Sequence, residues 1–457
     1  MQSLDDHMSG AERRATIGLG AVFALRMLGM FMVLPVLTTY GMALQGATES
    51  RIGLAIGIYG LMQAIFQIPV GIWSDKIGRV PLIVGGLVIF VVGSVVAANA
   101  ESIWGIIIGR GLQGAGAISA AVMALLSDLT REQHRTKAMA FIGMSIGVVF
   151  AIAMVTGPVV THKFGLSALF WGTAVLASCA IAATLWLVPK PAKHVRNRES
   201  AFVAQHLKRV ITNRQLLRLN ISIFTLHAIL MASFVALPVA MEHAGFVRAN
   251  QWQVYLITML VAFIAVVPFI IFAEKKRRIK QVFVGCIITF GFAEVILLIS
   301  SAHIWFIFAG IQLFFLAFNI MEALLPSMIS KESPAGFKGT AMGIYSTSQF
   351  LGVAVGGAIG GHLLQSGGLI AVFAGALVLV LVWLWFGFTL REPSYVSSIR
   401  LELSATAPYS DQLSETLRQQ PGVADVVVVY EELAAYVKVD TKKTSRHALE
   451  QVVATFH

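Results

Sequence analysis

FMVLPV at 31–36 and FVALPV at 234–239 decide how this chain is read, because the two hexamers lie about 200 residues apart with a proline in the same place. Each sits in an apolar run long enough to cross a hydrocarbon core of about 30 Å, which takes about 20 helical residues. Twelve such runs are expected, near 15–42, 51–74, 80–100, 103–129, 138–161, 165–188, 216–242, 250–273, 280–300, 303–329, 338–364 and 367–390. The echo continues outward from the hexamers. Pro69 stands six residues before Asp75, and Pro268 six before Glu274. Ile103-Trp104 opens the fourth run and Ile304-Trp305 the tenth; ALLSDLT at 124–130 returns as ALLPSMIS at 323–330, and KAMAFIG at 137–143 as TAMGIYS at 340–346. Two six-helix units in the same orientation follow, related by an axis along the membrane normal, with a cavity between them.

Composition agrees. Of 457 residues, 57% are hydrophobic and 12% charged, with mean hydropathy +0.79, which excludes a water-soluble globule, where about 25% charge is usual. The opening MQSLDDHMSGAE lacks the basic start and cleavage site of a secretory signal, so the first run is expected to be retained. Cys179 and Cys286 are expected to be buried apolar residues rather than a disulfide or metal pair, and no cofactor is expected.

The net charge of +11 is unevenly placed. Arg13, Arg14, Lys76, Arg79, Arg131, Arg135, Lys137, eight further basic residues at 190–218, Lys275, Lys276, Arg277, Arg278, Lys280, Lys331, Lys338 and Arg391 fall in one set of alternate loops. Arg51, Lys163 and Arg248 fall in the other. Basic loops stay cytoplasmic, so both termini are expected there, and no nucleic-acid partner is needed to explain the charge.

GIWSDKIGR at 71–79 lies between the second and third runs, and its Gly71, Asp75, Gly78 and Arg79 carry a signature spacing. With RGLQGAG at 110–116 and Gly157-Pro158 in the fifth run, residues 15–390 resemble the major facilitator superfamily, most of all its drug:proton antiporter branch. Val159, Val160, Thr161 and His162 depart from the small residues that follow Gly-Pro in the antiporter motif. The expected fold is an all-α membrane protein with twelve transmembrane helices in two bundles, at 15–188 and 216–390. A cytoplasmic N-terminus occupies 1–14 and a linker 189–215.

Asp75 is suited to meet the positive end of a neighbouring helix; the eleventh run begins nearby and carries Gly352, Gly356, Gly357, Gly360 and Gly361 for close approach. Asp128 and Arg131 are expected to complete a charge cluster with Arg79. The resemblance implies that these residues gate the cytoplasmic side, latching it in the outward-facing state; the bland reading confines them to topology and loop folding. Glu274 and Arg278 repeat the pattern with Ile270 and Arg277 where glycines would stand.

Ionisable groups inside a bilayer are costly unless they face a cavity or a partner. Arg26 and His227 each lie about 17 Å from their helix starts, near mid-membrane. Arg110 lies in the outer half of the fourth run and Glu322 in the inner half of the tenth. The resemblance implies that all four helices face the central cavity. His227 and Glu322 are candidates to carry protons, while Arg26 and Arg110, which stay charged, are candidates to anchor substrate or to tune neighbouring carboxylates. His227 reads equally as a neutral interhelical hydrogen-bonder, Glu322 as a solvated carboxylate, and Arg110 as a brace on backbone carbonyls. Glu294 is expected to be structural, its helix being peripheral in the resembled fold. Tyr59, Gln63 and Gln67 share one helix face, as Tyr345 and Gln349 do; with Gln113 and Asn319 they are candidates to line the cavity, or they serve helix packing.

The linker includes AFVAQHLKRVI, read either as an amphipathic helix on the inner leaflet or as a flexible spacer. Beyond Pro393 the long apolar runs give way to alternation, and a small ferredoxin-like α+β domain is expected over 393–457: strand 396–403, helix 410–420, strands 424–430 and 434–440, and helix 444–455. PGVADVVVVYEELAAYVKVD resembles small metal-carrying domains, but SATAPYS holds no cysteine pair, so thiolate metal transfer is excluded. Regulation, self-association and stabilisation remain as roles. The function expected is alternating-access transport in a bacterial inner membrane, driven by the proton gradient and expelling a small organic, drug-like compound. A facilitator, a proton symporter and a membrane sensor signalling through the C-terminal domain are the alternatives; no catalytic constellation points to an enzyme.

Overall fold

The computed structural model describes residues 8–189, 210–299, 303–392, 395–403, 411–429, 433–440 and 442–455. Most of the linker, and with it most of AFVAQHLKRVI, lies outside the described residues, as do SATAPYS and the Asp75 side chain.

The membrane portion holds α1 (Gly10–Phe31), α2 (Leu34–Tyr40), α3 (Glu49–Ile77), α4 (Arg79–Ala98), α5 (Ile103–Ala115), α6 (Ser119–Leu129), α7 (Glu132–Trp186), α8 (Arg214–His243), α9 (Gln251–Lys275), α10 (Ile279–Ile299), α11 (Ile304–Glu332) and α12 (Lys338–Phe388). These make twelve spans: α1 with α2 forms one, α5 with α6 another, while α7 and α12 each supply two. The two long helices turn at glycines with positive φ, Gly165 at 86° and Gly368 at 66°, equivalent points of the repeat.

Two spans expected to be continuous are interrupted. The first breaks at Met32-Val33, because Pro35 has no N–H and its ring collides with the carbonyl four residues back. A side chain at Gly157 would strike the Met32 backbone, so Gly157-Pro158 fits directly against this break. The fourth breaks at Gly116, which leaves the helical conformation with ψ 46°. The first helix starts at Gly10 rather than 15, since Ser9 and Glu12 form a capping box: the Ser9 hydroxyl accepts from the Glu12 N–H and the Glu12 carboxylate accepts from the Ser9 N–H.

Within the first half α1 packs on α7, α4 on α5 and α7, and α3 on α5; within the second, α8 and α10 pack on α12, and α9 and α10 on α11. The halves meet through α3 on α12, α2 on α8 and α7 on α9. Gly352, Gly356 and Gly360 face Phe224, Ala228 and Ala232 of α8, while Gly357 and Gly361 face Gly57 and Gly53 of α3. A Cβ on Gly57 would stand 2.5 Å from the Ala354 carbonyl oxygen, closer than any real contact. These approaches lie at the end of α3 remote from Asp75, so the glycines of α12 serve a contact other than the one expected of them.

Apolar side chains cover the outside, with Trp104 and Trp305 exposed at equivalent helix starts, as suits a lipid belt. Cys286 is buried, but Cys179 lies on this apolar exterior, which corrects the expectation that both are interior. Glu294 is fully buried, and neither carboxyl oxygen meets a hydrogen-bond partner among the described residues.

The C-terminal domain has β1 (Ser397–Glu402), α13 (Asp411–Arg418), β2 (Val423–Val429), β3 (Ala434–Val439) and α14 (Arg446–Ala454). Its antiparallel sheet runs β1-β3-β2, a split β-α-β with β3 inserted, as in a ferredoxin-like fold without its last strand. Leu401, Leu413, Leu417, Val426, Val437 and Leu449 form its small core.

Candidate functional site

The interior of the first half is a polar network built on two arginines. Arg26 is fully buried; its Nη2 donates to Tyr59 Oη at 3.1 Å, to Gln63 Oε1 at 3.0 Å and to the Gly116 carbonyl at 3.2 Å. The break after α5 is what frees that carbonyl. Gln63 donates on to Gln67 at 3.0 Å. Arg110 stacks on the Tyr59 ring at 4.7 Å and donates to Gln113 Oε1 at 3.0 Å, and Gln113 donates to Ser94 Oγ at 2.8 Å. Tyr59, Gln63, Gln67 and Gln113 are thus brought together with both arginines, and all of them are buried.

The second half carries the ionisable pair. His227 Nε2 lies 3.7 Å from Glu322 Oε2. Gln349 bridges them, its Nε2 being 2.8 Å from His227 Nε2 and 3.3 Å from Glu322 Oε1. His227 Nδ1 is 3.2 Å from the Ile223 carbonyl, an acceptor only. The network therefore assigns the proton to Nδ1 and leaves Nε2 to accept from the amide, so the arrangement suits a neutral imidazole. A second proton on that ring would point Nε2–H toward the carboxylate, and the bridge would have to rearrange. Tyr345 is buried with its hydroxyl unpartnered among the described residues, and Asn319 is spent on the Phe315 carbonyl of its own helix at 2.7 Å.

Between these groups runs an aromatic seam. Phe31 and Phe150 of the first half stack edge-on at 4.9 Å, and Phe150 meets Phe234, Phe315 and Phe318 of the second at 6.0–6.3 Å. Phe318 also abuts the His227 ring at 5.9 Å. Further contacts close the face opposite the termini: Arg248 reaches the Thr39 carbonyl and lies over the Tyr40 ring, and Gln365 accepts from the Ser50 N–H at 3.1 Å.

On the face bearing the termini, Gly78, with φ 111°, lets α3 and α4 meet in a tight turn. Arg79 pairs with Asp128 at 3.2 Å and donates to Ser74 Oγ at 2.6 Å. Gly71 lies against Ala120. Arg131, expected to join this cluster, holds Glu12: the carboxylate accepts from its N–H at 2.7 Å and from Nε and Nη2 at 3.1 Å. Glu12 escaped the sequence reading, although S-x-x-E at 9–12 is a capping signal.

The C-terminal domain sits on the second half. Lys438 Nζ donates to the Ser330 and Lys331 carbonyls, at 3.1 and 2.6 Å, where α11 ends with unpaired acceptors. Asp425 accepts from the Ala335 N–H at 3.0 Å, and Ala335 packs with Val429, Ala434 and Tyr436. Arg277 pairs with Asp440 at 3.2 Å. Lys438 and Asp440 carried no sequence signal, since their partners are more than 100 residues away.

Twelve spans in two repeated halves, with ionisable groups enclosed in each, define a multi-pass membrane transporter. The Major Facilitator Superfamily model matches residues 19–279 and the YajR YAM domain model residues 399–455; the chain belongs to the Major Facilitator Superfamily. It is 59% identical over 449 residues to the inner membrane transport protein YajR of Escherichia coli (strain K12), covering 98% of this chain and 99% of that protein. It is 28% identical over 290 residues to the multidrug resistance protein MdtL of Escherichia fergusonii, covering 60% and 70%. Among solved structures it is similar in fold to the nucleoside transporter NupG, with TM-score 0.66 at 14% identity over 82% of this chain and 99% of that one.

Proposed function

We propose that the protein expels a small organic compound from the cytoplasm by alternating access, in exchange for protons. The observation that carries this reading is the His227–Gln349–Glu322 array, two proton-binding groups bridged by an amide beside the aromatic seam. Protonation at either end changes which hydrogen bonds Gln349 satisfies, and so biases α8 and α12 against α11. A proton moves such an equilibrium only through its differential affinity for the two states. The aromatic seam suits an amphipathic solute, and likeness to multidrug resistance proteins supports efflux.

The basic loops and the likeness to an inner membrane protein support a bacterial inner-membrane location with both termini cytoplasmic. In that orientation the contacts of Arg248, Tyr40, Ser50 and Gln365 bring the two halves together on the periplasmic side. Gly71, Asp75, Gly78, Arg79, Asp128 and Arg131 would latch the cytoplasmic side in the outward-facing state. Docking of the C-terminal domain on α11 supports stabilisation or regulation of the second half over self-association.

The test is proton movement in proteoliposomes under an imposed pH gradient, with a panel of amphipathic compounds. Substrate-dependent proton flux lost in His227→Ala and Glu322→Gln supports the reading. Transport that persists after the gradient is collapsed would establish a facilitator instead.

A further inference from the structure

We propose that Arg26 and Arg110 bind the anionic group of the transported compound, so that its substrates are organic anions bearing a carboxylate, sulfonate or phosphate; this rests on the transport reading above. Both guanidiniums are buried, at 0% and 1% exposure, and arginine keeps its charge inside proteins. Every hydrogen-bond acceptor they reach among the described residues is neutral: Tyr59 Oη, Gln63 Oε1 and the Gly116 carbonyl for Arg26, Gln113 Oε1 for Arg110. Neutral acceptors satisfy hydrogen bonds but leave the charge uncompensated, which is costly away from water.

No carboxylate among the described residues pairs with either arginine. The sequence offers none nearby. Between Glu12 and Asp128 the only acids are Glu49, Asp75 and Glu101, all near span ends, and the fifth and sixth spans hold none over 138–188. Asp75 lies twelve residues beyond Gln63 on α3, about 18 Å away. The acids inside the membrane portion, Glu294 and Glu322, belong to the second half. The halves thus differ in sign: the first encloses two fixed positive charges, the second encloses carboxyl groups.

The two arginines also converge. Arg26 donates to the Tyr59 hydroxyl while Arg110 stacks on the ring of the same residue. Three donor nitrogens remain without a partner among the described residues, Arg26 Nε, Arg26 Nη1 and Arg110 Nε. Planar forks of this kind match carboxylate, sulfonate and phosphate oxygens, which would supply both the missing acceptors and the missing charge. The competing account makes the arginines braces between α1, α3 and α5, needing nothing beyond neutral partners.

The test measures binding to full-length protein in detergent, in a chloride-free buffer with nitrate as the only counter-ion, without any gradient, so it is independent of proton coupling and of transport direction. The probes are 2-naphthoate, naphthalene-2-sulfonate and 2-naphthyl phosphate, with tetraphenylphosphonium as a cation of similar apolar character. At least one anion should bind at least tenfold more tightly than the cation. Arg26→Gln or Arg110→Gln should weaken that anion at least tenfold, with the lysine replacements intermediate and the cation unaffected. If the glutamine variants do not fold, the bound anion should protect Arg26 and Arg110 of the wild type from phenylglyoxal. Binding of the cation alone, or equal anion affinity in the glutamine variants, would overturn the proposal. So would stabilisation by chloride with no binding of the three probes, which would make the site a structural one for an inorganic ion.

Discussion

Arg277 stands at φ 53° in the second half where Gly78 stands at φ 111° in the first. Each follows an acidic residue by three positions, Glu274 and Asp75, and each precedes an arginine. A positive φ costs glycine nothing, but in another residue it costs about 1–3 kcal/mol unless its surroundings hold it. Here they do: the Arg277 guanidinium meets both oxygens of Asp440 at 3.2 Å and lies over the Tyr395 ring at 5.0 Å. The duplicated turn has become the seat of the C-terminal domain.

Replacing Arg277 with glycine separates these two contributions. Arg277→Gly should keep the turn, leave the melting temperature of the membrane portion unchanged or slightly raised, and speed proteolytic cleavage between the last span and β1 several-fold. Unchanged cleavage would mean that Lys438 and the Tyr436 contacts suffice to hold the domain.

Docking should resist acid. The Lys442 backbone N–H, and then Arg277, hold the Asp440 carboxyl below the usual aspartate range. A carboxyl lowered on folding stabilises above its unfolded value, about 3.9, and that contribution disappears as pH falls through the lower folded value. The cleavage rate between the last span and β1 should therefore stay level from pH 8 to 5 in the wild type. In Asp440→Asn it should already be raised at pH 7.

Gln349 is the bridge in the proposed coupling array, and a hydrogen bond to a charged group is worth about 1.5–3 kcal/mol. Gln349→Ala should reduce substrate-dependent proton flux about tenfold, while Glu322→Gln abolishes it. Flux in Gln349→Ala equal to wild type would remove the amide from the mechanism.

Gly57 and Ala354 bring α3 and α12 into backbone contact. Gly57→Leu should prevent that closure and reduce transport more than tenfold. The labelling of Thr38→Cys by a membrane-impermeant maleimide from the face opposite the termini should rise, since Thr38 lies buried where α2 meets α8.

Arg79 and Asp128 are 7% and 5% exposed, so removing one leaves the other charge buried, at a cost of about 3–5 kcal/mol. Arg79→Met should lower the melting temperature markedly, and Arg79→Met/Asp128→Leu should recover most of the loss. A double variant no better than the single would assign the effect to the other bonds of these side chains, the Ser74 bond among them.

The sequence by itself determined the twelve spans, their duplication and the βαββα order of the last domain. Apolar length and period are local properties, and the FMVLPV and FVALPV pair needs no partner to be recognised. It also marked Arg26, His227, Arg110 and Glu322 as special, because a charge in an apolar run is unusual wherever the helix packs. What it left open were the pairings. His227 meets Gln349 because glycines at 352, 356 and 360 draw α12 against α8. Arg26 finds the Gly116 carbonyl only because the fourth span breaks. Arg131 turns to Glu12, and Lys438 to the end of α11, across separations of more than 100 residues. Such contacts arise from helix packing and chain breaks that no local pattern encodes, so tertiary structure alone decided which charges share an environment.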